Sequence, residues 1–226
     1  FIKGHSEPVK IYGIATVPTR VLSAICSSTV PCKAVHAAQY REIIEKVIAP
    51  KKQRASVLVR GNTGTGKALL LVRTLYDHAI NSIMHDAVED SRPLDIVWTL
   101  ADWFAHHRDS DLSNRAEAIR TALERSHNIL STRLALELVA LTISKGQSTG
   151  IVVRQAQRLD NASLSFLRQL MVAESKGTGR WINMLTVVPQ NGLHPWSAIA
   201  TMLGADTTTV HLPAHIPHGE CHELID

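Results

Sequence analysis

The sequence contains a glycine-rich segment followed by a lysine, a combination that can bind phosphate groups. The segment reads Gly61-Asn62-Thr63-Gly64-Thr65-Gly66-Lys67-Ala68. It matches the pattern G-x-x-x-x-G-K-[ST] at every position except the last, where Ala68 replaces the hydroxyl residue. Glycines let the backbone curve closely around an anion and turn its N–H groups inward, and the lysine adds a point charge. The segment therefore predicts a loop that holds the phosphates of a nucleotide.

The residue missing from this loop pattern is the one that normally contacts a metal ion. A Ser or Thr hydroxyl at that position binds Mg²⁺ in nucleotide-hydrolysing proteins, whereas the side chain of Ala68 has no oxygen. A short apolar run at 55–60 predicts a strand that enters the loop. A helix with a wide apolar face is predicted to begin at about Lys67, so that its N-terminal end adds to the positive field on the phosphates.

Apolar periodicity along the chain predicts strands that alternate with helices. Further strands are predicted at 95–99, 150–153, 181–188 and 208–212, and helices at 33–48, within 100–146, from 161 or 163 to about 173, and at 195–203. Such alternation is typical of a parallel sheet covered by helices on both faces. We predict an α/β fold, a three-layer αβα P-loop nucleotide-binding core over residues 34–226. Residues 1–33, broken by prolines, are predicted to be an N-terminal arm that packs on the core or on a neighbouring copy.

A second candidate site follows the predicted strand at 150–153. Residues 150–160 read Gly150-Ile151-Val152-Val153-Arg154-Gln155-Ala156-Gln157-Arg158-Leu159-Asp160. Here the chain resembles the AAA+ ATPases, and among them the bacterial transposition regulators of the TnsC/TniB type, in which an apolar strand is followed by Asp-Glu-Ala-Gln-x-Leu. Residues 156–159 match that continuation, while Arg154 and Gln155 stand where the two acids are expected. The resemblance extends over roughly residues 34–226.

The resemblance implies that both acidic functions of this second site are lost. Arg154 replaces a magnesium-binding carboxylate with a cation, and Gln155 can hydrogen-bond a water molecule but cannot take its proton. Loss of a general base alone costs about 10²–10⁴-fold in rate. We therefore predict weak or absent ATP hydrolysis, with Gln155 as a degenerate catalytic residue. We also expect Arg154, on the strand beside the loop, to face the phosphates and replace the charge of the metal, which would make Mg²⁺ dispensable.

The resemblance also implies three features towards the end of the chain. A polar sensor is expected after the next core strand, where Gln190 or Asn191 is the candidate. An arginine finger is expected after the following helix, but residues 198–204 contain no Arg. A helical lid is expected to be absent or truncated. The candidate nucleotide-binding residues are Asn62, Thr63, Gly64, Thr65, Gly66, Lys67, Ala68, Leu69 and Arg154, and no metal-binding residue is predicted.

Other interpretations of the acidic site remain open. Asp160, Asp95 or an acidic residue of a neighbouring subunit could supply the metal-binding carboxylate. The chain would then be an active Mg-dependent ATPase that drives the disassembly of an oligomer. A third possibility is an interaction scaffold without nucleotide. The retained Lys67 and the three glycines argue against it, because glycines carry a stability cost when no ligand requires them.

Charge and composition bear on partners and compartment. The 226 residues carry a formal net charge of +4, which permits but does not require binding to nucleic acid. The basic residues that could contact a DNA backbone, or could form an ordinary solvated surface, are Lys51, Lys52, Arg54, Arg108, Arg115, Arg120 and Arg125. No apolar run approaches the length of a membrane span. The three cysteines (Cys26, Cys32, Cys221) show no metal-ligand spacing and form no closed disulfide framework, which favours a reducing cytoplasm.

The resemblance implies an ATP-binding AAA+ regulator of DNA transposition, and the changes at Ala68, Arg154 and Gln155 predict weak or no hydrolysis. The resemblance implies a homo-oligomer that assembles on the DNA backbone without reading its sequence. It further implies the recruitment of a transposase or targeting protein, in the cytoplasm and away from membranes. The clustered histidines near 106 and beyond 211 are expected to lie on the surface and not to bind a metal.

Overall fold

The computed structural model of the chain describes residues 36–89, 91–188, 195–204 and 206–213. The predicted arm at 1–33, the sensor candidates Gln190 and Asn191, and the histidines that follow His211 lie outside these ranges. Within the described part of the chain, none of the helices combines the length and the apolar character that crossing a bilayer requires.

Five strands form one sheet in which every described pairing is parallel. The strands are β1 (Arg54–Arg60), β2 (Asn81–Asp86), β3 (Ser148–Arg154), β4 (Arg180–Val187) and β5 (Thr207–His211). They lie side by side in the order β2-β3-β4-β1-β5. The three central strands are buried along almost their whole length, as expected for strands covered on both faces. Because the strands are parallel, the loops that follow them meet at one edge of the sheet.

Seven α-helices are described around this sheet. They are α1 (Ala37–Ile43), α2 (Lys67–Asp77), α3 (Asp95–Ala105), α4 (Ser110–Glu124), α5 (Asn128–Ser144), α6 (Asn161–Val172) and α7 (Pro195–Leu203). A π-helical segment (Ile44–Ile48) continues α1, and a short 3₁₀ turn (Ala156–Arg158) follows β3. Trp181, Phe104 and Phe166 are the largest fully buried side chains. The predicted three-layer α/β architecture with a parallel sheet is confirmed.

One predicted strand is wrong. Residues 95–99 lie in α3, and the second strand of the sheet is β2. The apolar residues after Asp95 recur with helical spacing, so that Ile96, Val97 and Leu100 are buried on one side of α3. Asp160 and Ser163 accept hydrogen bonds from backbone N–H groups at the start of α3, which fixes where the helix begins.

The strand β2 was not predicted from the sequence because its residues lack the usual pattern of a buried strand. It lies at an edge of the sheet, and its residues alternate between exposed and buried, so it lacks the continuous apolar run of the central strands. Its sequence, Asn81-Ser82-Ile83-Met84-His85-Asp86, contains only one β-branched aliphatic residue. The remaining predicted strands are found within two residues of their predicted bounds.

Candidate nucleotide-binding site

The glycine-rich loop connects the end of β1 to the start of α2. Gly64 and Gly66 have φ angles of +82° and +78°, values that residues with a side chain rarely adopt, so glycine is favoured at both positions. Gly66 caps α2, which begins at Lys67. The first backbone N–H groups of a helix have no partner within the helix and attract anions. This geometry fits the phosphates of a nucleotide.

Lys67 is held inside the loop. Its Nζ donates hydrogen bonds to the carbonyl oxygens of Gly61, at 2.7 Å, and of Asn62. The residue is only 8% exposed, and this burial lowers the pKa of its ammonium group. Phosphate oxygens that entered the loop would therefore compete with two carbonyl oxygens for a cation that is already poorly solvated.

The other predicted loop residues surround this lysine. Thr65 Oγ1 donates to the carbonyl of Asn62 at 2.9 Å, which closes the loop on itself. Asn62, Thr63 and Gly64 are exposed. Ala68 and Leu69 lie half-buried in the first turn of α2. The structure thus brings together the loop residues that the sequence predicted, although ligand binding by each of them stays a prediction.

His36 contacts the same loop and was not found by sequence reasoning. Its Nε2 lies 2.8 Å from the carbonyl oxygen of Thr65, and the residue is only 3% exposed. Its other ring nitrogen, Nδ1, is buried and has no hydrogen-bond partner in the described part of the chain. Because 29 residues separate His36 from Thr65, no local pattern in the sequence could have revealed this contact.

Arg154 lies at the end of β3, but β3 is not the strand beside the loop. β4 separates β3 from β1, so this part of the expectation is wrong. The guanidinium of Arg154 forms an ion pair with Asp86 of β2, with 3.1 Å between Nε and Oδ1. Asp86 and Arg154 are register partners in neighbouring parallel strands. A contact between Arg154 and the phosphates stays a prediction.

Gln155 has a left-handed backbone conformation, with φ 54° and ψ 49°. Its backbone N–H donates to the hydroxyl of Thr186 on β4 at 3.2 Å. A positive φ is unfavourable for a residue other than glycine and often occurs at functional sites. The backbone therefore turns sharply at the position where the resemblance places the water-activating residue.

The two alternative carboxylates are both engaged elsewhere. Asp160 caps α6: it accepts hydrogen bonds from the backbone N–H of Ser163 at 2.9 Å and of Leu94 at 3.2 Å. Asp95 forms an ion pair with Arg92 at 3.2 Å. These contacts give both carboxylates a structural role near the start of α3.

The side chains at the two positions expected to bind Mg²⁺ supply no oxygen ligand for it. Ala68 offers no oxygen, and the end of β3 carries the cation of Arg154. Over the described residues, no three His, Cys, Asp or Glu side chains are grouped so that they could hold a metal ion.

The basic residues that could contact DNA are scattered over several elements. Arg115 pairs with Glu137 and Arg120 with Asp102, the latter at 3.7 Å. Arg54 is half-buried at the start of β1. Contact between these residues and DNA stays a prediction.

Comparison with known proteins identifies the class that the fold and the loop define. Residues 29–182 match the AAA ATPase domain family, and this chain belongs to that family. The family implies nucleotide binding. No curated protein matches the chain.

Two solved structures are similar to this chain at low sequence identity. Cdc6p from Pyrobaculum aerophilum is 16% identical with a TM-score of 0.50, and the match covers 85% of this chain and 49% of that chain. The ORC1 protein of Aeropyrum pernix, solved in complex with DNA, is 16% identical with a TM-score of 0.49, covering 83% of this chain and 49% of that one. The chain therefore spans about half the length of these two proteins.

Proposed function

We propose that this chain is a nucleotide-binding AAA+ regulator that binds ATP at its glycine-rich loop and hydrolyses it weakly or not at all. The observation that carries this proposal is the ion pair between Arg154 and Asp86. An ATPase of this class needs a free carboxylate at the end of β3 to hold a metal ion. Here that position holds a cation, which also pairs with the carboxylate of Asp86 at the end of β2.

Binding depends on the loop and on the start of α2. The left-handed conformations of Gly64 and Gly66 place the loop backbone in its curved form before any ligand arrives. In our proposal, Lys67 exchanges the carbonyl oxygens of Gly61 and Asn62 for phosphate oxygens. A hydrogen bond between an ammonium group and a charged oxygen is stronger than one to a neutral carbonyl, which favours the exchange.

Hydrolysis would require a group that removes a proton from the attacking water. The amide of Gln155 cannot accept that proton. Asp160 already accepts hydrogen bonds from Ser163 and Leu94. ATP would therefore act as a structural ligand, which stabilises the state that binds it by mass action.

The resemblance of residues 156–159 to transposition regulators supports a role in DNA transposition. The chain would assemble as a homo-oligomer on DNA when ATP is bound and would recruit a transposase or targeting protein. The net charge of +4 is compatible with contacts to the phosphate backbone. Such contacts would weaken strongly as the salt concentration rises.

The decisive experiment measures ATP binding by calorimetry, with and without Mg²⁺, together with phosphate release. We expect the unmodified chain to bind ATP, to respond little to Mg²⁺ and to release little phosphate. A variant that restores the missing groups, Ala68→Thr with Arg154→Asp and Gln155→Glu, is expected to gain Mg-dependent release. The same triple variant with Lys67→Ala is the control and should remain inactive.

Two results would favour the alternatives. Mg-dependent phosphate release by the unmodified chain would indicate an active ATPase with an unusual acidic site. Loss of that release in Asp86→Asn or in Asp160→Asn would then identify the carboxylate that binds the metal ion. Absence of ATP binding would indicate a scaffold without nucleotide.

Oligomer formation needs a separate measurement. We expect light scattering to show larger particles when ATP and duplex DNA are both present, independently of the DNA sequence. Lys67→Ala should abolish the effect of ATP while leaving any salt-sensitive DNA binding of the free chain intact. Assembly that is identical with and without ATP would contradict a nucleotide-dependent regulator.

A further inference from the structure

A cavity of about 290 Å³ lies at the amino end of β1, whereas the glycine-rich loop follows the carboxyl end of the same strand. The start of β1, the end of α6, the residues after α7 and part of β5 surround it. We propose that this cavity, which we call the basic cavity, binds a small phosphorylated anion at a site separate from the nucleotide loop.

The lining of the basic cavity is strongly positive. Lys46, Lys52, Arg54 and Arg168 contribute to it, and Asp206 is the only carboxylate residue of its described lining. Lys46 is compensated by an ion pair with Glu42 at 2.7 Å. The charges that remain exceed what Asp206 alone could balance, so the cavity favours an anion.

Arg54 has hydrogen-bonding capacity that the protein does not use. Its Nη1 donates to the carbonyl of Leu170 at the end of α6. Its Nε and Nη2 are buried and have no hydrogen-bond partner in the described part of the chain. Burial lowers the pKa of the guanidinium, as expected for a cation taken out of water without a counter-charge. Buried charges are normally paired or bind a ligand.

Arg180, at the start of the neighbouring strand β4, is an arginine whose guanidinium hydrogen bonds are all made within the protein. Its Nε, Nη1 and Nη2 donate to the carbonyl oxygens of Lys52, Ile48 and Val47, at distances of 2.9, 2.9 and 2.8 Å. All three of its nitrogens therefore have a partner. By contrast, two guanidinium nitrogens of Arg54 have no partner in the described residues, and a rotation of its side chain towards the cavity would let them bind a ligand.

Ser56 provides a second unused donor. It also lines the cavity, is only 1% exposed, and its hydroxyl has no hydrogen-bond partner in the described residues. Its register partner on β5, Thr207, carries a buried hydroxyl that is likewise unpartnered. Ser56 lines the cavity whereas Thr207 does not, and a rotation of the Ser56 side chain would bring its unsatisfied hydroxyl to an acceptor bound there.

A phosphoryl group matches this arrangement. The guanidinium fork of an arginine fits two phosphate oxygens, and a hydroxyl can donate to a third. Lysine ammonium groups at the rim add charge that is not directional. The phosphoryl group could belong to a free inorganic anion or to a nucleoside monophosphate, and the two sources share the same chemistry.

Inorganic pyrophosphate is the first probe, measured by calorimetry in the Lys67→Ala chain so that the loop site is weakened. We expect one remaining site. Ser56→Ala in this background should weaken it about tenfold, the effect of losing one hydrogen bond to a charged group. Arg54→Gln should abolish it. Arg133→Gln, an exposed arginine on α5, is the matched control and should change nothing.

Ser56→Ala also separates a binding role from a structural one. Removing a buried hydroxyl that has no partner should leave the thermal midpoint of the free protein unchanged or raised. The same variant should lose most of the rise in midpoint that pyrophosphate produces. Adenosine monophosphate in parallel identifies the source: binding as tight as that of pyrophosphate indicates a nucleotide, and weaker binding a free anion.

Several results would overturn the proposal. These are the absence of any site in the Lys67→Ala chain, or affinity unchanged by both Ser56→Ala and Arg54→Gln. If Arg54→Gln does not fold, Ser56→Ala decides alone. The outcome does not depend on ATP binding at the loop. The chain could bind pyrophosphate in the basic cavity and fail to bind ATP, or it could bind ATP and fail to bind pyrophosphate in the cavity, and the two experiments distinguish these cases.

Discussion

The Nε atom of Arg154 lies 3.1 Å from Oδ1 of Asp86, and the two residues end neighbouring parallel strands. This ion pair occupies the edge of the sheet where the strand-end loops meet. The positive charge of Arg154 therefore lies beside a carboxylate that could otherwise bind a metal ion, and the carboxylate of Asp86 lies beside a guanidinium that could otherwise bind phosphate. The nucleotide chemistry of the chain therefore depends on whether the pair stays closed when ATP is bound.

Removing Arg154 should release the carboxylate of Asp86. We expect Arg154→Ala to make Mg²⁺ tighten ATP binding more than it does in the unmodified chain, and Arg154→Ala with Asp86→Asn to cancel that gain. The measurement is the Kd of ATP with and without Mg²⁺. If Arg154→Ala instead weakens metal-free ATP binding by about tenfold or more, the scale of losing a charged hydrogen bond, then Arg154 itself contacts the phosphates.

The same pair should contribute little to folding. Its side chains are 49% and 65% exposed, and exposed ion pairs contribute about 0–1 kcal/mol. A double-mutant cycle with Arg154→Ala and Asp86→Ala, measured by urea unfolding, should give a coupling free energy within that range. A larger coupling would show that the pair has a structural role beyond the site.

Lys67→Met should remove ATP binding without harming the fold. The methionine keeps most of the buried alkyl chain but loses the charge, and a hydrogen bond to a charged group contributes about 1.5–3 kcal/mol, or about 10–150-fold in Kd. The free energy of unfolding should stay constant or rise, because burial already disfavours the ammonium group. Lys176→Met, on an exposed lysine away from both sites, is the control.

Asp160→Ala should destabilise the protein while leaving nucleotide binding intact. It removes an N-cap that holds the starts of both α6 and α3, and losing such a cap costs about 0.5–2 kcal/mol. Asp160→Asn keeps an acceptor oxygen and should cost less. Loss of Mg-dependent ATP binding in both variants would indicate that Asp160 is the metal-binding carboxylate.

Gln155→Gly should stabilise the free protein. The residue has a φ of 54°, which glycine adopts without strain, and relief of a left-handed conformation is worth about 1 kcal/mol. The check is the midpoint of urea unfolding. Gln169→Gly, in the exposed middle of α6, should instead destabilise by about 1 kcal/mol. If Gln155→Gly also destabilises the protein, the contacts of the Gln155 side chain contribute more to the free energy of unfolding than the left-handed conformation costs.

His85 should make the protein less stable at mildly acidic pH. Its burial lowers its pKa below the ordinary value of 6.5, although the nearby carboxylates of Asp95, Asp86 and Asp160 raise it in part. Between the lowered pKa of the folded state and 6.5, the unfolded chain binds more protons. The free energy of unfolding therefore rises with pH in that window and falls on acidification.

The measurement compares the free energy of unfolding at about pH 7 and about pH 5.5. His85→Gln should lose part of the decrease seen in the unmodified chain. His127→Gln, at an exposed position, should keep it in full. An equal decrease in all three proteins would mean that His85 does not titrate differently in the folded state.

Local patterns were enough to predict the loop and most of the sheet. The φ angles of Gly64 and Gly66 follow from a turn that favours glycine, and the apolar runs of β1, β3 and β4 identify strands buried on both faces. The edge strand β2 and the helix α3 were assigned wrongly. Hydrogen bonds to Asp160 and Ser163, which lie more than 60 positions later in the chain, decide where α3 begins.

The chemistry around the loop was decided by the tertiary structure. The sequence determined that Arg154 and Gln155 stand where acids are expected, but it could not show that β4 separates them from β1. The sequence also could not reveal that Arg154 pairs with Asp86 or that His36 contacts Thr65. Nor could it reveal that two nitrogens of Arg54 have no partner in the described residues. Turns and periodicity are set by neighbours along the chain, whereas strand order and side-chain partners are set by long-range packing.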